Sequence, residues 1–322
     1  MSKLATPSSV QAVTSICSDS TNCRVCGSDH VHSLLKSVDR FHDRKQAYEL
    51  VRCSSCSLVW LKDAPAPEEM PVHYGPDYHR AISWAADSSP VRWKLHLELL
   101  LAHKQGGAIL DLGCNSGTFL GTLDTKAWSL HGVEIDPIQA DLARQRTSAH
   151  VFTGDVLDAP FGPGSFDVIT AFDVMEHMYK PDEVVQKAWT WLKPGGIFYV
   201  SLPNIDSWEA KALGTYWFGL ELPRHLFLFS PKSLRQLFTS AGYREVHLAT
   251  PPAAYVEHSF RYIYDDALRA CGLQRPPISQ AKRPPLLWRV VRKANRLTTI
   301  AAIRKTSALC GKGPNLEAIF QK

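Results

Sequence analysis

Between residues 105 and 250 the chain alternates short apolar runs with stretches of helical spacing. The runs at 108–112, 129–134, 149–153, 166–171 and 196–202 are of strand length, and their alternation with helical patterns predicts parallel strands joined by crossovers. Lys193-Pro194-Gly195-Gly196 punctuates a helix end before the fifth run. Residues 244–250 predict a sixth strand and Asn315–Phe320 a seventh. Ahead of this block, Trp93, Leu95, Leu97, Leu100 and Leu101 keep roughly helical spacing, so a helix is expected over 91–103. Further upstream, Tyr48–Arg52 and Leu58–Leu61 alternate like short strands.

The first long run breaks into a glycine-bearing turn, Asp111-Leu-Gly-Cys-Asn-Ser-Gly117, and then resumes with helical spacing. Strand, tight turn and helix start are the reading. At the mouth of a helix, side-chain-free Gly113 and Gly117 would bring backbone and amide N–H groups close to a nucleotide-like ligand. Plain turn chemistry accounts for two glycines equally well. Two acids downstream narrow the choice: Glu134 ends the second run and Asp155 comes just after the third. In a doubly wound sheet these positions share the carboxyl edge, where such folds bind ligands.

In order, Asp111-x-Gly113-x-Asn115-x-Gly117, Glu134, Gly154-Asp155, Phe166–His177 and Leu192-Lys-Pro-Gly-Gly196 resemble the motif set of class I S-adenosylmethionine-dependent methyltransferases. The resemblance covers about residues 105–250. It implies an α/β, Rossmann-like, doubly wound seven-stranded sheet whose last strand is antiparallel, with S-adenosyl-L-methionine as cofactor. It places Asp111, Gly113, Asn115 and Gly117 at the methionine end, Glu134 on the ribose hydroxyls, and Asp155 with Val156 on the adenine. Ile135 and Phe172 are also expected on the cofactor, and Tyr74 and Tyr78 over its methionine end, although those tyrosines would equally suit packing at a domain junction. The family usually has glycine where Asn115 stands; Asn is the next most tolerant residue for a left-handed backbone.

Two Cys-x-x-Cys pairs, Cys23/Cys26 and Cys53/Cys56, are separated by 26 residues. Thiolates on two such turns can close a tetrahedral zinc shell, and four sulfur ligands leave no open position, so the ion would be structural. With the short strands between and after them they read as a zinc ribbon. A similar ribbon precedes the methyltransferase domain in bacterial proteins that modify sugars, polysaccharides and secondary metabolites. The organisation expected is a flexible leader (1–20), the ribbon (21–62), a linker and lead-in helix (63–104), and a methyltransferase domain (105–322). That domain would carry a helical insertion over 251–314.

Methyl transfer to a hydroxyl needs the acceptor held in line and a proton removed. Two histidines stand where the acceptor should approach. His177 lies just beyond the fourth strand, and His225 in a Pro223-Arg224-His225 stretch after the fifth. Either is a candidate base, and either suits a structural hydrogen bond. Asp173 is a further candidate for acceptor contact, whereas Glu176 is expected to cap or pair locally. Trp208, Tyr216, Trp217 and Phe218 suit a cover over the acceptor pocket or simple lid packing.

The chain has 322 residues, 45% of them hydrophobic, and a net charge of +5. The charge is concentrated: residues 281–310 carry eight Lys or Arg and no acid, which leaves the remainder mildly acidic. A nucleic-acid partner is therefore not expected. Within that stretch Leu287, Val290, Val291, Ala294, Leu297 and Ala301 repeat at helical spacing between cations. Such a helix suits the surface of an anionic membrane or ordinary packing with a solvated basic side. The N-terminus has no apolar block, so a soluble cytoplasmic protein is expected, with peripheral contact to the inner face of a membrane as one use of 281–310. The expected acceptor is a hydroxyl of a sugar, a glycan precursor or a small secondary metabolite. Two rivals stand beside it. One is a non-catalytic scaffold that works through ribbon and basic helix. The other is a protein or RNA methyltransferase, which would call for a basic ribbon, whereas the span carries Asp29, Asp39, Asp43 and Glu49 among its cations.

Overall fold

The computed structural model describes residues 22–75, 78, 90–253, 255–273 and 306–322. The leader and the basic helical stretch around 287–301 lie outside the described residues. The main body is a seven-stranded sheet. Its parallel strands are β4 (Gly107–Leu112), β5 (Trp128–Glu134), β6 (His150–Thr153), β7 (Phe166–Phe172) and β8 (Leu192–Pro203), numbered after the ribbon strands described below. β10 (Arg244–Ala249) and β11 (Asn315–Gln321) complete it in the order β10-β11-β8-β7-β4-β5-β6. β11 runs antiparallel to both β8 and β10. The order reverses between β4 and β7, and doubly wound sheets bind their ligands in the crevice outside the carboxyl ends of the strands at such a switch point.

Helices α1 (Pro90–His103), α2 (Pro137–Arg146), α3 (Pro181–Trp191), α4 (Trp208–Leu213), α5 (Pro231–Ser240) and α6 (Tyr255–Ala270) flank the sheet and the ribbon. α2 starts where Asp136 accepts from Ile138 N with Pro137 at the first position. α5 starts in a reciprocal Ser230/Ser233 capping box. Two expectations change here. The segment after the glycine turn is a short 3₁₀ turn, Leu120–Thr122, and not an α-helix; Gly117 and Gly121 within so short a connection weaken helix formation. Lys193–Gly196 likewise belongs to an irregular start of β8. Phe166 of β7 pairs Leu192, and Val168 pairs Ile197, so the glycines absorb extra residues in the strand and do not cap a helix.

The N-terminal module is the antiparallel set β1 (Val31–Val38), β2 (Ala47–Cys53) and β3 (Val59–Leu61). A fourth strand, β9 (Phe227–Leu228), comes from the methyltransferase part and pairs Val59 with Leu228 and Trp60 with Phe227. The boundary drawn at residue 62 is thus crossed by strand pairing. One apolar cluster runs through both parts, from Leu50, Leu58 and Leu61 to Phe227, Phe229, Ile169 and Phe198. Ion pairs stitch the seam: Arg24 to Asp182 at 2.9 Å, Arg52 to Asp206 at 2.7 Å and Arg40 to Asp266 at 2.7 Å. At its centre Arg224, fully buried, reaches both oxygens of the fully buried Asp39 at 3.3 and 3.4 Å. Burial alone would raise the Asp39 pKa, but the His42 hydrogen bond and the Arg224 guanidinium hold it down at about 2.

Candidate functional site

The glycine turn leaves β4 with Gly113 at φ 64°, Asn115 at φ 47° and Gly117 at φ 77°. Asn115 therefore takes the left-handed position that glycine usually fills. At Gly113 a Cβ would lie 2.6 Å from Val174 Cγ2, and at Gly117 one would lie 3.1 Å from Ala143 Cα. The first glycine thus sets the approach of the turn to the β7 edge, and the second sets the close packing of α2. The expectation that the turn aims its amides at a ligand does not hold as stated. Asn115 N donates to Glu134 Oε2 at 2.8 Å, Ser116 N to Asn115 Oδ1 at 2.6 Å, and Gly117 N to Cys114 O at 3.0 Å. These three amides fold inward, and what the turn offers the crevice is backbone without side chains.

Glu134 ends β5 with its second oxygen accepting from Asp136 N at 2.9 Å. Burial raises its pKa, and these backbone bonds oppose the rise. Each oxygen keeps a further lone pair for a ligand hydroxyl. Asp111 is buried beneath the turn and accepts from Thr170 Oγ1 at 2.6 Å; burial pushes its carboxyl up to about 7. Asp155 stands after β6 and caps a short turn by accepting from Leu157 N. Val156 next to it is half-buried, and Ile135 is exposed beside Glu134. The residues assigned to ribose and adenine are therefore neighbours along one sheet edge. Phe172 is different: its ring is buried, stacked on His96 at 4.5 Å and edge-on to Phe119 at 4.8 Å. That ring belongs to the core, and only its backbone stands at the strand end.

The structure brings His177 and His225 together, with ring centroids 4.6 Å apart. His177 Nδ1 lies 3.0 Å from Arg224 O, and His225 Nδ1 lies 2.9 Å from Gly219 O. A carbonyl only accepts, so each Nδ1 carries the proton and each Nε2 keeps its lone pair. Tyr74 Oη is 3.0 Å from His177 Nδ1, and Tyr78 packs edge-on to Tyr74 and against the Arg224 guanidinium. The tyrosines expected over the cofactor therefore group with the histidines. Burial, then the neighbouring His225, holds the His177 pKa down at about 3, and burial lowers that of His225. Both are neutral imidazoles at physiological pH. Asp173, at φ 56°, accepts from Arg92 at 2.6 Å.

Three features escaped the sequence. Glu221 faces His225 Nε2 at 3.6 Å and Arg224 Nε at 3.3 Å; burial opposes its ionisation, but His225 and Arg224 hold its pKa below the usual value. Arg224, read only as part of a Pro-Arg-His stretch, turns into the ribbon seam. Glu176, expected to pair locally, is 1% exposed and neither carboxylate oxygen has a hydrogen-bond partner; burial drives its pKa well above normal. No local signal distinguishes it from a surface glutamate. The aromatic segment is also corrected in part. Phe218 packs on Tyr255, His258 and Tyr262, Trp217 on Tyr255, and Tyr216 under Arg40. Those rings bind α6 and the ribbon, and Trp208 stays substantially exposed.

The four ribbon cysteines converge, with ligand atoms all within 4.8 Å of one another. Cys23 Sγ is 3.4 Å from Cys56 Sγ, and Cys26 Sγ is 3.6 Å from Cys53 Sγ. These gaps are far beyond a disulfide bond and near the ~3.8 Å between sulfurs of a tetrahedral zinc thiolate. The two turns match in backbone as well: Gly27 and Ser57 donate to Cys23 O and Cys53 O, and both have positive φ. The residues fit a tetrathiolate ion.

Residues 84–248, just over half of the chain, match the family model described as a methyltransferase domain. The chain belongs to that family, and its fold is that of the class I S-adenosylmethionine-dependent methyltransferases. Among its relatives, the ubiquinone biosynthesis O-methyltransferase of Paraburkholderia xenovorans is 26% identical over 131 residues, covering 38% of this chain and 56% of that one. The chain thus spans little more than half the length of that relative. The enzyme of the same name from Burkholderia thailandensis is 25% identical over 214 residues, 62% of this chain and 84% of that one. A chain of the complex between the Haloferax volcanii Trm112 methyltransferase activator and a methyltransferase superposes with a TM-score of 0.50 at 19% identity, over 75% of this chain and 96% of its own. That likeness is one of fold.

Proposed function

We propose that the protein transfers a methyl group from S-adenosylmethionine to a hydroxyl of a small molecule, a sugar or a glycan precursor. The observation that carries this reading is the edge itself. A glycine turn braced by Glu134, the Glu134 carboxylate and Asp155 stand at the ends of three adjacent parallel strands. On this reading Glu134 takes the ribose hydroxyls, Asp155 and Val156 the adenine, and the Gly113–Gly117 backbone the methionine end. S-adenosylmethionine supplies an electrophilic methyl group when bound. The acceptor enters from the side of Tyr74, His177 and His225; with the His177 pKa held down at about 3, His225 is the candidate base of the two. The O-methyltransferase names of the relatives support a hydroxyl acceptor. In the ribbon, Cys23, Cys26, Cys53 and Cys56 hold a structural zinc, which ties the loops that seat the Arg224–Asp39 seam.

Calorimetric titration of S-adenosylhomocysteine tests the reading. Wild type should bind in the micromolar range, and Glu134→Ala should weaken binding by about 10- to 100-fold, the worth of hydrogen bonds to a charged group. Absent binding by folded, zinc-loaded wild type, or unchanged affinity in the variant, would overturn it.

A further inference from the structure

We propose that Glu176, His177 and His225 form a divalent-cation site of the two-histidine, one-carboxylate kind beside the acceptor pocket. One ligand atom from each residue lies within 4.8 Å of the others. Both histidines already make the bond that metal-binding histidines make on their far side, Nδ1–H to a backbone carbonyl, which leaves Nε2 as the ligand atom. The third member is the sharper observation. Glu176 is a carboxyl 1% exposed whose two oxygens have no hydrogen-bond partner among the described residues, an arrangement that folded proteins rarely keep without a ligand, an ion or water to satisfy it. The nearby guanidinium groups are committed elsewhere, Arg92 to Asp173 and Arg224 to Asp39 and Glu221. A cation held among Glu176, His177 and His225 supplies the missing partner.

Imidazole and carboxylate ligands suit zinc, manganese, iron and cobalt in the divalent state. Three protein ligands leave open positions for an oxygen of the acceptor. This part of the inference rests on the methyl-transfer reading. A hydroxyl bound there has a lowered pKa and releases its proton to water. Its oxygen then forms the C–O bond as the methyl carbon leaves sulfur, with the bonding pair remaining on sulfur. The histidines serve as ligands in this arrangement. Glu221, 3.6 Å from His225 Nε2, is the next acid along and lies on the Arg224 side.

Manganese is the probe, because the ribbon thiolates disfavour so hard an ion. Full-length protein with its ribbon zinc in place is titrated with manganese(II), and the free-ion electron paramagnetic resonance signal is followed. Wild type should remove about one equivalent from solution, and Glu176→Gln and His225→Ala should each bind at least tenfold more weakly. A wild-type titration that leaves the free signal unchanged overturns the site even if the variants fail to fold, and so does equal binding by folded Glu176→Gln. Binding of S-adenosylhomocysteine measured on the same samples separates the two readings: manganese failure with that binding intact removes the cation site alone.

Discussion

Gly113 is where the geometry makes the most quantitative demand. Replacing it with Ala places a residue with a Cβ at φ 64° and sets that Cβ 2.6 and 3.0 Å from the γ-methyls of Val174. The left-handed backbone costs about 1–2 kcal/mol for a non-glycine residue. The overlap falls on a β-branched side chain that is stiff at χ1, and overpacking of this kind costs about 1–3 kcal/mol. Together, Gly113→Ala should destabilise by about 2–5 kcal/mol, and it should weaken cofactor binding because the turn must move away from Val174. Val174→Ala removes both offending methyls. In Gly113→Ala/Val174→Ala the overlap cost therefore vanishes and the backbone cost stays, so the double variant should be about 1–3 kcal/mol more stable than the sum of the single changes predicts. Urea unfolding followed by tryptophan fluorescence, at fixed zinc, measures all four proteins of the cycle. Strict additivity, or a Gly113→Ala cost below about 0.5 kcal/mol, would refute the claim that Val174 fixes the turn.

Asp111, with its carboxyl at about 7, should make affinity for the cationic cofactor rise between about pH 6 and pH 8. A bound cation favours the ionised form, and Asp111→Asn should flatten that rise in calorimetry. The sign for stability of the ligand-free protein is opposite. An acid whose folded pKa lies above its unfolded value loses stability as pH rises from about 4 to 7, so Asp111→Asn should raise the urea midpoint at pH 8. Purified protein should contain about one tightly held zinc per chain, and Cys53→Ser should lose it with unfolding of the ribbon strands, read by metal analysis and circular dichroism. Asp39→Asn leaves Arg224 with Glu221 as its remaining acidic partner among the described residues and should cost about 2–3 kcal/mol at pH 7, below the ~3–5 kcal/mol for fully breaking a buried pair. Because the Asp39 pKa is depressed to about 2, the difference from wild type should be present above about pH 4 and shrink as pH falls toward 2; a pH-independent difference would exclude the ion pair as its source.

The sequence alone determined the elements whose signals are local. Apolar runs of strand length marked the five parallel strands of the main sheet close to their observed bounds, because the central strands are buried on both faces and so read as near-continuous apolar runs. Cysteine spacing placed four thiols on two matching turns, because two intervening residues suffice to bring a pair to one ion. Asn115 was legible as a left-handed residue for the same local reason. Only the tertiary structure decided what lies between elements distant in the chain. It set β9 against β3, buried Asp39 on Arg224, and drew His177 to His225. It also left the carboxylate oxygens of Glu176 in the interior without a hydrogen-bond partner, where a local cap or pair was expected. It turned the Asn115 amide inward, because the Glu134 carboxylate that accepts from it comes from the next strand. Periodicity reports which face of an element is buried; which side chains meet across faces depends on strand order and crossover, and those are set by the packing of the whole sheet.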